Sequence, residues 1–343
     1  MTTPTTYRAI QATADGGFAL VERAVTDPGP GRVRIAVEAC GVCHSDVAGV
    51  YNMLGNRAAG SPIVPGHEVV GRIDALGDGV PGWTVGQRVG VGYLGGHCGV
   101  CRMCRRGDFV NCTDQPVLGD SEDGGYAEFV TVRASGLVSV PDALDAVAAA
   151  PLMCAGLTLF NALRQAAPQA GELVAVQGIG GLGHLGLQYA RKMGLQVVAI
   201  ARGTDKQELA EQLGAHHYID STAVDPGEAL QALGGASVVL ATAASGASMS
   251  PLVKGLAPRG RLIVIGATAD PIEVATPELI FGSRTIEGAL TGTPSDNEDN
   301  LAFSIAQGVR PLVEVMPLEQ AGDAYARMLS GAARFRMVLT TTA

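Results

Sequence analysis

Four of the seven cysteines lie close together with the spacing C-x2-C-x2-C-x7-C. Four thiolates in one loop can close a tetrahedral shell around zinc, and a shell without an open position serves structure rather than catalysis. A bacterial iron–sulfur cluster also begins C-x2-C-x2-C, but its fourth cysteine follows after three residues and precedes a proline. Here the last gap is seven residues and Thr113 follows. The spacing therefore predicts a structural zinc site at Cys98, Cys101, Cys104 and Cys112.

A second group of metal-binding side chains is dispersed along the chain. It comprises Cys43 in CGVCHSD, His67 in PGHE and Cys154 in LMCAG. Two thiolates and one imidazole around zinc leave a fourth tetrahedral position for water or substrate. Read alone, each residue is ambiguous, because a single cysteine is commonly a small core residue and a single histidine commonly has no metal. From these residues alone, an open metal site and ordinary packing are both possible.

A glycine-rich segment has the pattern G-x-G-x-x-G between the apolar run LVAVQ and a helix-forming stretch. The first glycine, Gly178, permits a tight turn, and Gly180 allows a pyrophosphate to approach the backbone. Gly183 lets the helix pack closely on the strand, and the N–H groups at the helix start face the anion. An ordinary glycine turn is the alternative. The strand–loop–helix context favours a dinucleotide site at Gly178, Gly180, Gly181, Leu182 and Gly183.

The end of the next predicted strand bears on the choice of cofactor. An NAD site commonly has Asp or Glu there to hold the ribose hydroxyls, whereas this chain has Ala201 followed by Arg202. The missing carboxylate removes repulsion against a 2′-phosphate, and the planar guanidinium of Arg202 could pair with it, with Lys206 nearby. This pattern favours NADP. If Arg202 is only a solvated surface residue, NAD is the alternative.

The elements that must position these side chains fall into two regions. Short β-type runs broken by glycine and proline precede residue 150, at 32–39, 69–75, 88–91 and 127–132. They predict a compact, barrel-like β domain. Strands and helices then alternate, with strands at 173–177, 196–201, 217–220, 237–241 and 261–265 and helices at 182–193 and 205–213. This alternation predicts a doubly wound parallel sheet. A last strand at 335–340 is expected to return to the β domain.

Length and charge limit the classes of function. A chain of 343 residues is long enough for two domains, and its net charge of -9 argues against a nucleic-acid partner. The N-terminus lacks the pattern of a secretory signal, and no apolar stretch is long enough to span a bilayer. We therefore expect a soluble, cytoplasmic protein without a membrane partner. In a reducing compartment, the clustered cysteines favour metal binding over disulfides.

Five motifs occur in a familiar order: CGVCHSD, PGHEVVGRI, the four-cysteine segment, CAGLT and GIGGLGHLG. Together they resemble the zinc-containing medium-chain alcohol dehydrogenases over nearly the whole chain. The resemblance implies an α/β fold with a GroES-like β-rich catalytic domain and a Rossmann doubly wound parallel-sheet domain. The expected boundaries are 1–151 with 288–343 for the first domain and 152–287 for the second.

The resemblance also implies roles for individual residues. It makes Cys43, His67 and Cys154 the ligands of a catalytic zinc, and Cys98, Cys101, Cys104 and Cys112 those of a structural zinc. Glu68 is then an occasional or indirect ligand beside the catalytic metal. Ser45 is the hydroxyl that contacts the substrate oxygen. Asp46 steadies the ring of His67, in keeping with the carboxylate support that metal-bound histidines generally have.

Three further residues match cofactor positions of the family. By resemblance, His44 and Arg336 meet the cofactor phosphates and Thr158 lies beside the nicotinamide. One position departs from the pattern, because many relatives have a proton-relaying histidine where this chain has Ala48. The substrate pocket also has Tyr93 and apolar residues near Leu54 where relatives for small alcohols have tryptophans, which suggests a roomier pocket.

The implied activity is reversible hydride transfer between a primary or secondary alcohol, with its aldehyde or ketone, and NAD(P). A zinc-free quinone or enoyl reductase with the same two-domain plan is the alternative. It would keep the glycine loop but have no need of Cys43, His67 and Cys154. A non-catalytic redox sensor or cofactor-binding protein is a second alternative. By family likeness we expect a homo-oligomer, either a tetramer or a dimer.

Overall fold

The computed structural model describes residues 4–341. The strands are β1 (Thr6–Ala12), β2 (Phe18–Ala24), β3 (Arg32–Val42), β4 (Glu68–Leu76), β5 (Arg88–Val91), β6 (Phe129–Arg133), β7 (Val138–Ser139), β8 (Leu173–Gln177), β9 (Gln196–Ala201), β10 (His217–Asp220), β11 (Ala236–Ala241), β12 (Leu256–Val264), β13 (Thr285–Gly288), β14 (Val313–Pro317) and β15 (Arg336–Thr340). The α-helices are α1 (Asp46–Val50), α2 (Ala146–Ala149), α3 (Ala155–Ala166), α4 (Gly183–Lys192), α5 (Gln207–Gln212), α6 (Pro226–Ala232), α7 (Gly246–Met249), α8 (Thr276–Ile280), α9 (Pro294–Gln307) and α10 (Ala321–Leu329). The chain forms two compact units, one of Met1–Cys154 with Gly292–Ala343 and one of Ala155–Thr291.

The first unit is built on a largely antiparallel sheet, in which β14 pairs in parallel with β15. Its main sheet has the order β14-β15-β3-β4-β5-β7, with β6 also paired to β3, and β1 and β2 form a separate hairpin. Alternate residues of β3, namely Val33, Ile35 and Val37, are buried in one hydrophobic core, as expected for a strand with one face on the core. The last strand, β15, pairs antiparallel with β3. The C-terminal strand therefore returns to the β unit, which confirms the prediction.

The second unit contains a six-stranded parallel sheet in the order β10-β9-β8-β11-β12-β13. All five residues of β8 are buried, as expected when helices cover both faces of a parallel sheet. The strand order reverses between β8 and β11, which is the point at which doubly wound sheets bind their ligands. The glycine-rich segment follows β8 directly. The predicted doubly wound sheet is confirmed.

The helices are short. Helix α9, with 14 residues, begins with a capping box in which Thr293 and Asp296 exchange side-chain and backbone hydrogen bonds, and it ends at Gly308, whose φ is 70°. Such caps satisfy the free backbone groups at helix ends. Within residues 4–341, no single helix is long and apolar enough to cross a bilayer, although one bent pair, Ala146–Met153 with Ala155–Ala166, passes on length and composition alone.

Candidate active site

The turn after β3 supplies three of the predicted site residues. Cys43 is buried directly after the strand, while the next two residues, His44 and Ser45, are exposed. Asp46 is the first residue of the short helix α1 and is 2% exposed. Its Oδ2 accepts a hydrogen bond of 2.9 Å from the backbone N–H of Cys43. The turn therefore closes on itself, with the Cys43 sulfur and the Asp46 carboxylate both inside the first unit.

The carboxylate of Asp46 also orients His67. Its Oδ1 lies 2.7 Å from Nδ1 of His67, and both side chains are almost fully buried. The opposite ring nitrogen, Nε2, is buried and has no hydrogen-bond partner among residues 4–341. A buried ring nitrogen without a partner is costly unless something else satisfies it. Because a carboxylate on one ring nitrogen commonly accompanies a metal on the other, this arrangement fits a metal ligand.

The predicted open-site ligands converge on one point. The ligand atoms of Cys43, His67 and Cys154, together with a carboxylate oxygen of Glu68, all lie within 4.8 Å of one another. Cys154 reaches this point because it follows the buried turn of 3-10 helix Ala150–Met153. Two thiolates formally balance the charge of Zn²⁺, and this donor set is one that catalytic zinc uses. The side chains present therefore fit a zinc ion.

These groups shift one another's proton affinity. A hydrogen bond from the Cys154 thiol lowers the pKa of Cys43 well below its usual range and raises the pKa of Cys154 well above it. Burial lowers the pKa of His67, but the charges of Asp46 and Cys43 more than offset this effect, so the pKa ends well above its usual value. The shift at Cys43 favours the thiolate, which is the form that binds metals.

Glu68 is held beside the cluster by an ion pair. Its Oε1 contacts Nη2 of Arg336, the first residue of β15, and the two side chains are 0% and 5% exposed. Burial raises the pKa of Glu68 to about 7, although the charge of Arg336 lowers it. The facing residue is Gly41, where a Cβ would overlap Oε2 of Glu68. The arginine thus holds the Glu68 carboxylate beside the potential ligands.

The four-cysteine segment forms a second cluster. The sulfur–sulfur distances are 4.0 Å for Cys98–Cys104, 4.0 Å for Cys101–Cys112 and 3.6 Å for Cys98–Cys112. A tetrahedron with zinc–sulfur bonds of about 2.3 Å has edges of about 3.8 Å. Backbone hydrogen bonds, chiefly from the N–H of Cys104, lower the pKa of Cys101 to about 5. The cluster therefore has the spacing of a closed zinc site, although burial raises the pKa of Cys104 to about 12.

In the second unit, the glycines of the predicted dinucleotide loop have distinct structural roles. Gly178 has a φ of +90°, in the left-handed region, and a Cβ at Gly183 would overlap the carbonyl oxygen of Gly178. Among the described residues, no atom lies within 4 Å of the position that a Cβ would take at Gly180. Leu182 precedes α4 as its N-cap. The tight turn and close helix approach are thus built as expected, and Gly180 faces free space.

The end of β9 also has the predicted residues. Ala201 is its last residue and Arg202 is exposed. The ammonium group of Lys206 donates a hydrogen bond of 2.7 Å to the backbone carbonyl of Ile179, which lies in the glycine loop. A residue that the sequence did not single out, Asp220, accepts a hydrogen bond of 2.8 Å from the backbone N–H of Gly203. A carboxylate is therefore present near this loop, supplied by the end of β10 rather than of β9.

The other predicted residues are placed as follows. Thr158 is buried in α3, and its hydroxyl lies 3.5 Å from the carbonyl oxygen of Leu290. The Tyr93 ring packs edge-on against His67, with 5.2 Å between the ring centroids. Leu54 is 55% exposed. Contacts of Ser45 with substrate, and of His44, Thr158 and Arg336 with a cofactor, stay predictions.

Sequence reasoning missed Tyr126 as part of the metal site. Its side chain is fully buried, and its hydroxyl donates a hydrogen bond of 2.8 Å to Oδ2 of Asp46. Burial and the charge of Asp46 raise the pKa of Tyr126 well above its usual value, so the hydroxyl keeps its proton and acts as a donor. The two residues are 80 positions apart. No spacing rule relates them, and only the fold brings them together.

Comparison with known proteins extends these observations. The alcohol dehydrogenase GroES-like domain matches residues 29–142, and the zinc-binding dehydrogenase family matches residues 181–306. The chain is 45% identical to alcohol dehydrogenase notN of Aspergillus sp. (strain MF297-2) over 341 residues, which covers 99% of each chain.

Solved structures agree with this assignment. The chain is similar to the cinnamyl alcohol dehydrogenase SbCAD4 of Sorghum bicolor, with a TM-score of 0.87 and 30% identity over 98% of this chain and 97% of that one. It is also similar to CAD from Helicobacter pylori in complex with NADP(H), with a TM-score of 0.85 and 26% identity over 98% and 99% of the two chains. With its GroES-like and Rossmann domains in this order, the chain belongs to the zinc-containing medium-chain alcohol dehydrogenase family.

Proposed function

We propose that this alcohol dehydrogenase is zinc-dependent and transfers a hydride reversibly between a primary or secondary alcohol and NADP. One observation carries the proposal. The sulfurs of Cys43 and Cys154 and the unpartnered Nε2 of His67 converge with Glu68 within 4.8 Å. A zinc-free quinone or enoyl reductase would have no use for two cysteine sulfurs gathered beside a buried imidazole.

In this proposal the two clusters have different tasks. Cys98, Cys101, Cys104 and Cys112 hold a zinc ion that stabilises their loop, since four thiolates leave no position for a substrate. Cys43, His67 and Cys154 hold the catalytic zinc. When bound, that zinc supplies Lewis-acid activation of the alcohol or carbonyl oxygen, and the nicotinamide supplies the hydride acceptor or donor.

The chain's own residues position the reactants and move the proton. Asp46 fixes the ring of His67 through Nδ1, which keeps Nε2 aimed at the ligand cluster. The Ser45 hydroxyl accepts the proton of the alcohol as it passes its own proton onward, and both transfers reverse when the carbonyl is reduced. Ser45 is itself exposed. Ala48 cannot relay the proton, so it leaves through water or the cofactor ribose.

The preference for NADP rests on the loop after β9. Arg202 is exposed and free to meet a 2′-phosphate, and Lys206 is anchored on the glycine loop by its bond to Ile179. Both cations favour the dianionic 2′-phosphate over the NAD hydroxyl. Asp220 acts against this preference, because its carboxylate is close to the same loop through Gly203. NAD is the alternative cofactor.

The test combines metal analysis with kinetics. We expect about two zinc ions per chain and turnover of primary, secondary and aromatic alcohols with a higher kcat/KM for NADP⁺ than for NAD⁺. His67→Ala should abolish turnover and leave cofactor binding intact, while the matched control His217→Ala, at an exposed histidine of β10, should behave as the native enzyme. Full turnover of a folded His67→Ala variant, or a native enzyme without zinc, would refute zinc dependence. A strong preference for NAD⁺ would refute only the role of Arg202.

As a family-based part of the proposal, the native enzyme is a tetramer or a dimer. Its molecular mass in solution tests this part.

A further inference from the structure

Tyr126 has no role in the reaction just described, yet it contacts the metal site at several points. It lies between the loop at 117–124 and β6, is 0% exposed and belongs to the hydrophobic core of the first unit. Tyrosine hydroxyls buried in a core normally find a polar partner. Here the partner is the carboxylate that orients a metal ligand.

The hydroxyl contact reaches two proposed ligands through one carboxylate. Oδ2 of Asp46 accepts from the Tyr126 hydroxyl at 2.8 Å and from the backbone N–H of Cys43 at 2.9 Å. The other oxygen, Oδ1, lies 2.7 Å from Nδ1 of His67. Two donors therefore fix Oδ2, and the carboxylate is held with Oδ1 directed at Nδ1 of His67. Loss of the tyrosine hydroxyl would leave Asp46 held by a single donor on that side.

The backbone around Tyr126 holds the segment that leads into His67. Three backbone hydrogen bonds join segment 124–126 to segment 64–66. The N–H groups donate to carbonyls, from Gly124 to Val64 at 2.7 Å, from Gly125 to Gly66 at 2.9 Å and from Tyr126 to Pro65 at 2.9 Å. They leave little freedom to the residues before the histidine.

The ring of Tyr126 adds a steric contact at the same place. Gly66 has a φ of +99°, and a Cβ there would overlap Cδ1 of the Tyr126 ring. A glycine is thus needed next to His67 both for its backbone conformation and for the close approach of the ring. The ring of Tyr126 thus limits the backbone at Gly66, next to His67, while its hydroxyl holds the Asp46 carboxylate that lies against the His67 ring.

We propose that Tyr126 is a positioning residue of the catalytic metal site, which sets the orientation of His67 through Asp46 and through the 64–66 backbone. This inference rests on the proposed function, because it assumes that Cys43, His67 and Cys154 bind zinc. Residues that support a metal-bound histidine typically change metal affinity or activity by about 10- to 100-fold when removed. Because Tyr126 acts one step further out, we expect a change of about tenfold.

The experiment compares Tyr126→Phe with the matched control Tyr325→Phe in the zinc-loaded enzyme. Tyr325 is 4% exposed in the same core, and its hydroxyl has no hydrogen-bond partner among residues 4–341. Competition with a chromogenic chelator measures the affinity of each zinc separately. We expect Tyr126→Phe to weaken one zinc by about tenfold and to leave the four-cysteine zinc unchanged. Tyr325→Phe should change neither.

A spectroscopic readout and a rescue separate positioning from general stability. In the enzyme with Co²⁺ at the catalytic site, the visible absorption of Tyr126→Phe should shift because the imidazole is no longer held in one orientation. If Tyr126→Phe fails to fold, para-aminophenylalanine and para-fluorophenylalanine replace it, since only the first retains a donor at the ring end. The amino variant should keep the native zinc affinity and the fluoro variant should lose it.

The outcomes distinguish the two proposals. A native enzyme that binds no zinc at Cys43, His67 and Cys154 would overturn the proposed function and this inference with it. A native enzyme with two zinc ions, in which Tyr126→Phe binds both with native affinity and a native cobalt spectrum, would overturn this inference alone. A lower thermal stability without a selective loss of one zinc would also overturn it.

Discussion

At the scale of single residues, Asp46 connects more of the metal site than any ligand does, because its two oxygens meet the N–H of Cys43, the Tyr126 hydroxyl and the His67 ring. We expect Asp46→Asn to lower kcat/KM by about 10- to 100-fold and to make the catalytic zinc easier to remove. The amide keeps the volume but loses the charge that favours one orientation of the imidazole. Steady-state kinetics and zinc content measure the effect.

The control for this variant is Asp142→Asn, at a carboxylate of the same unit whose side chain is 86% exposed. It should leave both quantities unchanged. Cofactor binding, followed by the fluorescence of the reduced cofactor, should be native in both variants. If Asp46→Asn keeps native kcat/KM and native zinc content, Asp46 does not orient His67.

Gly41 gives a second prediction at this scale, because its missing side chain makes room for Glu68. A Cβ at this position would overlap the carboxylate oxygen Oε2, so Gly41→Ala must displace a fully buried charge from its partner Arg336. Breaking a buried ion pair costs about 3 kcal/mol or more. Denaturant unfolding should show this loss of stability. Gly29→Ala, where the added Cβ meets no described atom within 4 Å, should unfold as the native chain does, and equal stabilities would contradict the assigned packing.

The site residues also show which contacts spacing can predict. The four cysteines lie close in sequence, so their spacing alone indicated one cluster, and the distances between their sulfurs bear out that arrangement. Glu68 and Arg336 are 268 positions apart, and Tyr126 and Asp46, which are joined by a hydrogen bond, are 80 positions apart. Contacts between residues so far apart leave no local pattern in the sequence. The sequence therefore indicates the metal ligands but not the side chains that position them.

At the scale of elements, strand β8 and helix α4 are joined by a loop whose glycines serve two separate needs. A Cβ at Gly183 would overlap the backbone carbonyl oxygen of Gly178. Because this atom belongs to the backbone, it cannot move away without distorting the loop. We expect Gly183→Ala to destabilise the second unit by about 1–3 kcal/mol, the usual cost of overpacking. Gly180→Ala meets no described atom, so it should keep native stability and weaken dinucleotide binding, because the pyrophosphate approaches at this position.

These two variants are each other's control. Thermal unfolding and cofactor titration should give opposite patterns, with stability lost in one and affinity lost in the other. Native cofactor affinity in Gly180→Ala would show that the free space there is not used by the dinucleotide. Native stability in Gly183→Ala would show that the helix does not need to approach the strand so closely.

The elements themselves were largely predictable, for a physical reason. The strands at 173–177, 196–201 and 217–220 match β8, β9 and β10 to the residue. Strands β8 and β9 are predictable because buried parallel strands are apolar runs bounded by turn residues, whereas β10 lies at the edge of the sheet and begins with the exposed His217. Strand β12 starts at Leu256 rather than at Arg261. Its extra residues pair with β11 only across an irregularity in register, and such an extension depends on the partner strand. Strand β3 likewise continues to Val42 because β15 and β4 pair with its end.

At the scale of the whole molecule, the two metal clusters should differ in how firmly they hold zinc. The four-cysteine cluster offers four thiolates, and the N–H groups of Cys98, Cys101 and Cys104 already lie 3.4 Å from its sulfurs. The other cluster has three expected ligands and one position for substrate. Because fewer protein ligands hold the catalytic ion, a chelator should remove it first.

We therefore expect zinc removal in two stages. The first zinc lost should abolish turnover with little change in the midpoint of thermal unfolding, and the second should lower that midpoint, since structural zinc contributes directly to folding. Activity, zinc content and unfolding are measured on the same chelator-treated samples. In Cys104→Ser, one ligand of the structural zinc is weakened, so the chelator should remove the two zinc ions at nearly the same time. The control Cys40→Ser, at a buried cysteine outside both clusters, should still lose its zinc in two stages. Activity that survives the first zinc would mean that the more labile ion is not the catalytic one.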